Sequence, residues 1–247
     1  MAQTNVRGRV ALVTGAGSGL GAATAECFAA AGAHVAVLDR NEAGARQVCK
    51  RIGTESVRTL PLGVDVGDAE EVQQAVRSVQ REMGRVDFVV NCAAVDNIVS
   101  VEDMTVEQWD QELAVNLRAP FLFARAVFPL MREQGGGHII NIASTAATRA
   151  WGNAAAYHAS KWGLVGFTRG LGVEGRPYGI RATTIIPGGM RTHWFDKFPD
   201  LGIPMPDESN LQDPANVAGV ILHAVQMPPD SSLQEVIVTP MTETSWP

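Results

Sequence analysis

Tyr157 and Lys161 stand four residues apart in the segment AAAYHASKWG, whose composition predicts a helix. At this spacing both side chains project from one helix face. A phenol beside an ammonium group can exchange a proton with a substrate, because the positive charge favours the phenolate. Lowering a phenol pKa by roughly 2 to 3 units from its reference near 10 requires about 3 to 4 kcal/mol. The pair predicts proton transfer, although the same spacing is common in solvated surface pairs.

Ser144 lies thirteen residues before Tyr157, directly after the apolar run HIINIA, which predicts a buried strand. The carboxyl ends of parallel strands meet at the edge of a sheet where ligands bind. A hydroxyl at that edge can hold a substrate oxygen that gains or loses negative charge. We therefore expect Ser144, Tyr157 and Lys161 to converge on one cleft.

A glycine-rich loop, TGAGSGLG from Thr14 to Gly21, joins the first apolar run to a predicted helix. Glycines let the backbone approach a ligand closely, and the amide groups that open a helix bind anions such as a pyrophosphate. The spacing differs from G-x-G-x-x-G, because Leu20 stands where the last glycine would be. The residues predicted to hold a dinucleotide here are Gly15, Gly17, Ser18, Gly19, Leu20 and Gly21.

Asp39 follows the second apolar run, 18 positions after Gly21. A carboxylate there accepts hydrogen bonds from the adenosine ribose hydroxyls and repels a 2′-phosphate, which favours NAD over NADP. The neighbouring Arg40 could favour the phosphate instead, so NADP stays open as the alternative.

The motif T-G-x-x-x-G-x-G, the serine and the Tyr-x-x-x-Lys pattern together resemble the short-chain dehydrogenase/reductase family, from Val10 to Thr239. The resemblance implies a catalytic set of Ser144, Tyr157, Lys161 and Asn116. It further implies that Lys161 binds the nicotinamide ribose and that Asn116 anchors a water linking Lys161 to solvent.

The same resemblance places further residues against the cofactor. Asn91-Cys92-Ala93-Ala94 departs from the usual Asn-Asn-Ala-Gly of the family, and the Ala94 methyl group adds bulk near the nicotinamide. We interpret Cys92 as a small buried apolar residue. The additional cofactor contacts implied are Asp65, Val66, Asn91, Ala93, Ala94, Pro187, Gly188 and Thr192.

The substrate end of the cleft is predicted to be largely apolar. Arg149 and Arg191 are possible clamps for a substrate carboxylate or phosphate. The motifs define the cofactor and the proton relay but leave the carbon skeleton open. The predicted pocket walls are Val95, Trp151, Met190, Trp194 and Phe195.

Seven short β-branched runs alternate with helix-length segments along the chain. Val and Ile on both faces of each run imply a parallel sheet covered by helices on both sides. We therefore predict the α/β class: a single-domain, Rossmann-type, doubly wound parallel sheet of about seven strands over residues 1–247, with a substrate-loop insertion at about 188–212. The predicted strands are 10–13, 34–38, 57–62, 86–90, 138–143, 180–186 and 234–239.

Local signals mark where the helices begin and end. Capping boxes are predicted at Asp68 with Glu71 and at Thr105 with Gln108, and Asp213 precedes a proline at a helix start. The predicted helix stops are Gly32, Gly84 and Gly135.

Composition narrows the function classes for this 247-residue chain. A net charge of −6 argues against a nucleic-acid binder. The three cysteines and five histidines show no metal-ligand spacing, so we expect no metal. Residues 1–9 lack an apolar signal core, and no run approaches the roughly 18 unbroken apolar residues of a membrane span. We therefore expect a cytoplasmic protein without membrane contact.

Together these features predict hydride transfer between NAD and a secondary alcohol or ketone. An NADPH-dependent carbonyl reductase, such as a 3-oxoacyl reductase, is the first alternative. A non-catalytic dinucleotide sensor is the second, although such a sensor needs neither Tyr157 nor Lys161. The family resemblance implies a homotetramer, or a homodimer, with the helices that carry Asn116 and Tyr157 as the main interface.

Overall fold

The predicted strands form one parallel sheet in the computed structural model, which describes residues 4–243. The strand order is β3-β2-β1-β4-β5-β6-β7, and every neighbouring pair runs parallel. The fold-class prediction is thereby confirmed. The strands described are β1 Val10–Thr14, β2 His34–Asp39, β3 Thr59–Gly63, β4 Phe88–Asn91, β5 Gly137–Ile142, β6 Ile180–Pro187 and β7 Glu235–Val238.

Helices cover both faces of the sheet. Residues of α1, α2 and α7 share one apolar cluster with the sheet, and residues of α3 and α5 share the cluster on the opposite face. The α-helices described are α1 Gly19–Ala30, α2 Glu42–Ile52, α3 Ala69–Met83, α4 Val106–Leu113, α5 Ala119–Glu133, α6 Ala155–Gly175 and α7 Pro214–Gln226.

Strand β1 shows why these sequences form a double-sided core. Ala11 and Val13 belong to the cluster beneath α1, whereas Val10 and Leu12 belong to the cluster beneath α3. All four side chains are buried, since successive residues of a strand point to opposite faces. Because both faces of the strand are buried, apolar residues do not alternate with polar ones in this part of the sequence.

The helix-start predictions hold with one correction. Thr105 and Gln108 form both bonds of a capping box, and Asp213 caps α7 ahead of its proline. Asp68 caps α3 as expected, but the Glu71 carboxylate accepts from the Asp65 amide at 2.7 Å instead of completing the box. The Asp65 turn brings that amide within reach, so the reciprocal half of the predicted box is wrong.

Helices α4 and α5 are joined without a break through a π-helical turn, Ala114–Arg118. Pro120 has no N–H to give to the carbonyl of Asn116, so the ordinary α-helical bond is missing there. The Ala119 amide bonds the carbonyl of Ala114 instead. The turn places Asn116 on the inner side of the helix, where it is buried.

Within residues 4–243, one helical stretch is long and apolar enough by length and composition to cross a membrane: Val106–Glu133, with a mean hydropathy of 1.3 in its most apolar window. Core helices pass the same test. Phe123, Val127 and Met131 of this stretch are buried in the cluster against the sheet, as in a core helix.

Candidate active site

A cavity of about 890 Å³ opens at the carboxyl edge of the sheet. It lies where the chain order reverses between β1 and β4, which is where open α/β sheets bind their ligands. The glycine loop lines one end, and the segment around Tyr157 lines the other. One cleft therefore contains both predicted halves of the site.

The glycine loop is packed too tightly for side chains. A Cβ atom on Gly21 would lie 2.2 Å from the Gly15 carbonyl oxygen, and one on Gly15 would lie 2.8 Å from the Ala93 Cα atom. The Thr14 hydroxyl accepts hydrogen bonds from the Cys92 and Ala93 amides, each at 3.1 Å. These contacts tie the ends of β1 and β4 together beneath the cavity.

The loop leads into the amino end of α1. Ser18 precedes the helix in an extended conformation, and among the described hydrogen bonds its side chain makes no cap. The first helical amides are thus left without a side-chain acceptor, which suits an anionic ligand at this positive helix end. This geometry fits a pyrophosphate.

Asp39 lies beside the loop in the cavity wall, with Arg40 next to it. The Asp39 carboxylate accepts from the Gly17 amide at 2.9 Å and from the Asn41 amide at 2.8 Å. A carboxylate offers about four acceptor sites, so it keeps capacity for ribose hydroxyls. The two backbone bonds fix its orientation towards the cavity.

Ser144, Tyr157 and Lys161 converge at the other end of the cleft, where all three line the cavity. The Lys161 ammonium group lies 5.5 Å from the centre of the Tyr157 ring and donates to the Ile142 carbonyl at 2.9 Å. Both side chains are buried. As predicted, both side chains project from the same face of their helix, α6.

Burial dominates the acidity of Tyr157. Burial raises its pKa, Asp96 and Glu112 add to the rise, and the Ser144 hydroxyl opposes it. Burial also lowers the pKa of Lys161 to about 8. The expectation that Lys161 and the positively charged nicotinamide together lower the phenol pKa stays a prediction, and the protein's own groups act in the opposite direction.

The Asn116 side chain is fixed by three hydrogen bonds. Its amide oxygen accepts from the Val95 amide at 2.9 Å, and its amide nitrogen donates to the Val95 carbonyl at 2.8 Å and to the Ser160 hydroxyl at 3.1 Å. The side chain thus fixes the segment after β4. Because the Asn116 side chain is occupied, a water linked to Lys161 would have to bind the main-chain carbonyl of Asn116. That carbonyl receives no α-helical hydrogen bond, since Pro120 has no N–H.

Three predicted site residues lie behind the cavity wall: Gly17, Asn91 and Asn116. Asn91 donates to the Asn141 side chain at 2.7 Å, which ties β4 to β5 and places Asn91 in the sheet instead of at the ligand surface. The predicted cofactor residues that do line the cavity are Gly15, Ser18, Gly19, Leu20, Gly21, Asp39, Arg40, Asp65, Val66, Ala93, Ala94, Tyr157, Lys161, Pro187, Gly188 and Thr192.

Cys92 also lines the cavity. Burial raises the pKa of its thiol to about 12, which disfavours the thiolate that a nucleophile requires. This agrees with our interpretation of Cys92 as a packing residue.

The substrate end has the predicted apolar walls. Trp194 packs on Tyr157 with 5.7 Å between ring centres. Segment 188–212, predicted without regular structure, contains short 3₁₀ turns at His193–Phe195, Pro199–Leu201 and Glu208–Asn210, and Met190 pairs with Gln212. The predicted wall residues lining the cavity are Val95, Trp151, Met190, Trp194 and Phe195.

Of the two candidate substrate clamps, Arg149 lines the cavity but is paired within the protein, and Arg191 is not among the lining residues. Arg149 pairs with Glu243 at 3.1 Å, and Arg191 donates to the Leu211 carbonyl at 2.6 Å. The Arg149–Glu243 pair links the loop before α6 to the carboxyl-terminal segment, which also packs Pro240 near Gly188. The segment after β7 therefore forms part of the cavity wall.

Two acids that influence Tyr157, the half-buried Asp96 and the buried Glu112, were not predicted from the sequence. Asp96 lines the cavity, and Glu112 on α4 is fully buried. Asp96 follows a recognisable motif by only two residues, which was the available signal. Glu112 carries no sequence signal, because its hydrogen-bond partner Asn97 lies 15 residues away and only the fold brings the two together.

No group of three or more His, Cys, Asp or Glu side chains within residues 4–243 is arranged to hold a metal ion.

The fold and cleft are those of a dinucleotide-binding α/β protein with a buried tyrosine–lysine pair. Residues 9–200 match the family model for short chain dehydrogenases. The chain belongs to this family, and the protein is an oxidoreductase.

Individual relatives in sequence are also named as a dehydrogenase or an oxidoreductase. The chain is 43% identical over 180 residues, 73% of its length and 69% of the relative's, to D-threitol dehydrogenase from Mycolicibacterium smegmatis. It is 32% identical over 243 residues, 96% of its length and 100% of the relative's, to an uncharacterized oxidoreductase of Staphylococcus haemolyticus.

Solved structures agree as well. A metagenomic short-chain oxidoreductase in complex with NADP superposes with a TM-score of 0.83 at 30% identity, over 96% of this chain and 99% of that one. A short-chain dehydrogenase/reductase from Mycobacterium marinum gives a TM-score of 0.86 at 27% identity, with 96% of each chain covered.

Proposed function

We propose that this oxidoreductase transfers a hydride between NAD(H) and a secondary alcohol or ketone, with Ser144, Tyr157 and Lys161 as catalytic residues and Asn116 as a positioning residue. The observation that carries the proposal is the Lys161 ammonium group beside the buried Tyr157 ring, in the same cleft as the glycine loop. No other pair of described side chains lining that cleft joins a phenol to an ammonium group.

In the oxidation direction, each residue has a distinct task. The Ser144 hydroxyl donates a hydrogen bond to the substrate oxygen, and the Tyr157 phenolate accepts the hydroxyl proton at Oη. Lys161 stabilises that phenolate. NAD⁺, when bound, supplies the hydride acceptor and a further positive charge, which is needed because the protein's own groups leave the pKa of Tyr157 raised.

The cofactor is proposed to be NAD. The Asp39 carboxylate is held at the cavity wall by two backbone amides, where it would repel a 2′-phosphate. The NADP complex of the metagenomic relative and the presence of Arg40 in the same wall favour the second candidate, an NADPH-dependent carbonyl reductase. Binding of NADH and of NADPH, compared by titration, distinguishes the two.

The substrate is proposed to be neutral and hydroxylated. Glu243 neutralises the charge of Arg149, and Arg191 is outside the cavity lining, so neither candidate anchor offers an uncompensated positive charge to a substrate anion. The relative named D-threitol dehydrogenase points to polyols.

The assembly is proposed to be a homotetramer, or a homodimer, through α5 and α6. Phe121 and Trp162 on these helices are 45% and 56% exposed, which is high for large apolar side chains. Sedimentation of the purified protein measures the assembly. The cytoplasmic location stays a prediction, to be checked by cell fractionation.

The deciding experiment is a panel of polyols, simple secondary alcohols and their ketones, read by nicotinamide absorbance with NAD(H) and NADP(H). We expect NAD-dependent oxidation of polyols and NADH binding at least about 10-fold tighter than NADPH binding, as one repelled phosphate implies. Cofactor binding without hydride transfer to any member of the panel would contradict the proposal and favour a dinucleotide sensor.

A further inference from the structure

Asp96 is a polar group in an otherwise apolar stretch of the cavity wall. Its Oδ1 atom is enclosed and has no hydrogen-bond partner among residues 4–243. Buried polar atoms are nearly always paired, and leaving one unpaired is costly. The family chemistry proposed for Ser144, Tyr157 and Lys161 does not use it.

The backbone around Asp96 is fixed from three directions. Asn116 binds both the amide and the carbonyl of Val95. The buried Glu112 accepts from the Asn97 amide at 3.0 Å, and Lys197 donates to the carbonyl of Asp96. A side chain presented by so constrained a backbone is preorganised to meet a ligand.

The charges that face Asp96 are mixed. Burial raises its pKa, and Lys197, His158 and Lys161 oppose that rise. Glu112 adds a second buried acid within electrostatic range. Because cationic groups already surround Asp96, the site has little attraction for a substrate cation, and a neutral hydroxyl suits it better.

Asp96 and the reacting phenol line the same cavity. They are linked by packing: Lys197, which donates to the Asp96 carbonyl, lies 5.8 Å from the centre of the Trp194 ring, and Trp194 packs on Tyr157. The carbons next to a substrate oxygen held between Ser144 and Tyr157 therefore occupy a cavity that Asp96 also lines.

We infer that Asp96 determines substrate specificity by accepting a hydrogen bond from a second hydroxyl group near the reacting carbon, so that the site prefers diols and polyols to mono-alcohols of the same skeleton. The inference rests on the proposed alcohol oxidation. It assigns the unpaired carboxyl group a partner that only a hydroxylated substrate provides.

The test compares kcat/KM for 2,3-butanediol and 2-butanol, which share the reacting carbon and differ by one hydroxyl. We expect the wild type to prefer the diol. Asp96→Leu should lower kcat/KM for the diol about 10- to 100-fold, the loss typical of one hydrogen bond to a charged group, and change it less than about 3-fold for 2-butanol. Asp96→Asn, which keeps the shape and one acceptor, should fall between them.

Glu102→Gln is the matched control, because Glu102 is an exposed acid on the same segment. It should change neither rate. Thermal melts of all variants report folding, and Asp96→Asn carries the test if Asp96→Leu does not fold.

Equal loss of both activities in the Asp96 variants, or no loss of either, overturns the inference while leaving alcohol oxidation intact. A wild-type preference for 3-amino-2-butanol over the diol also overturns it, since that result identifies Asp96 as a cation site. No oxidation of any of these alcohols by the wild type overturns the proposed function, and this inference with it.

Discussion

Strand β4 has an aspartate near each end, and the two side chains have opposite surroundings. Asp87, at the amino end, is buried and accepts from Arg9, Arg85 and the Val10 amide. Burial alone would raise its pKa, but these partners outweigh it and hold the pKa below its ordinary value. Asp96, beyond the carboxyl end, has an enclosed oxygen without a partner among residues 4–243, and its pKa is raised.

The difference separates two uses of a buried charge. At the amino edge the carboxylate is saturated with partners and joins β1 to β4, so it contributes to stability. At the carboxyl edge burial disfavours the charged forms of Asp96, Glu112, Tyr157 and Lys161, and shifts of this kind are typical of sites that bind and react. Variants at the two edges should therefore fail in different measurements.

Tyr157→Phe should give the largest effect. Removing the proton-transfer group should lower kcat about 10³-fold while leaving NADH binding and the melting temperature nearly unchanged. The control is Tyr178→Phe, because Tyr178 is the other tyrosine of the chain and is 42% exposed. If Tyr157→Phe retained most of its activity, Tyr157 would not be the proton-transfer group, and the carboxyl edge would not be the reactive end of the sheet.

Asp87→Ala should mainly cost stability, by about 3 kcal/mol, because three charged or buried donors lose their acceptor. Its kcat per folded molecule should stay unchanged. The contribution of Asp87 is fully present above the unfolded pKa of 3.8 and is lost as pH falls through the lower folded value. Urea unfolding at pH 7 and activity on the same samples check both statements, with the exposed Asp200→Ala as control.

Glu112→Gln should reveal the opposite pH dependence. Burial raises the pKa of Glu112 to about 7 from 4.5, so the folded protein holds a proton that the unfolded chain releases. Stability should therefore fall as pH rises from about 4.5 to 7. The variant should match the wild type at pH 5 and exceed it by about 1 to 3 kcal/mol at pH 8. If the unfolding free energies of both proteins changed with pH in the same way, the pKa of Glu112 would not be raised by folding.

Arg46→Gln should have the smallest effect. Arg46 and Glu42 form an ion pair along α2 with both side chains exposed. Exposed pairs contribute little, so the melting temperature should fall by less than about 2 °C. A larger fall would show that burial is not what separates Asp87 from ordinary surface charges.

The sequence predicted what depends on local pattern. Apolar runs located the seven strands, though 57–62 and 86–90 begin two residues later, at Thr59 and Phe88, because Val57 and Val86 pack in the core before the sheet hydrogen bonds begin. The Thr105–Gln108 box was readable because both partners lie within one turn.

Contacts between segments that are distant in sequence could not be predicted from local patterns. Asn116 reaches Val95 across 21 residues, and Arg149 reaches Glu243 across 94. The raised pKa of Tyr157 depends first on burial and then on Asp96 and Glu112, and the completed fold sets all three. The motifs therefore predicted which residues meet in the cleft but not the electrostatic environment that they share.

The placement of Thr4 and Glu243, the first and last described residues, has a practical consequence for handling the protein. Thr4 binds the Gln226 carbonyl at the end of α7, on the side of the sheet away from the cleft. Glu243 is part of the cleft wall. A purification tag joined ahead of Thr4 therefore starts from a segment outside the cavity lining, whereas one joined after Glu243 starts from the cavity wall itself.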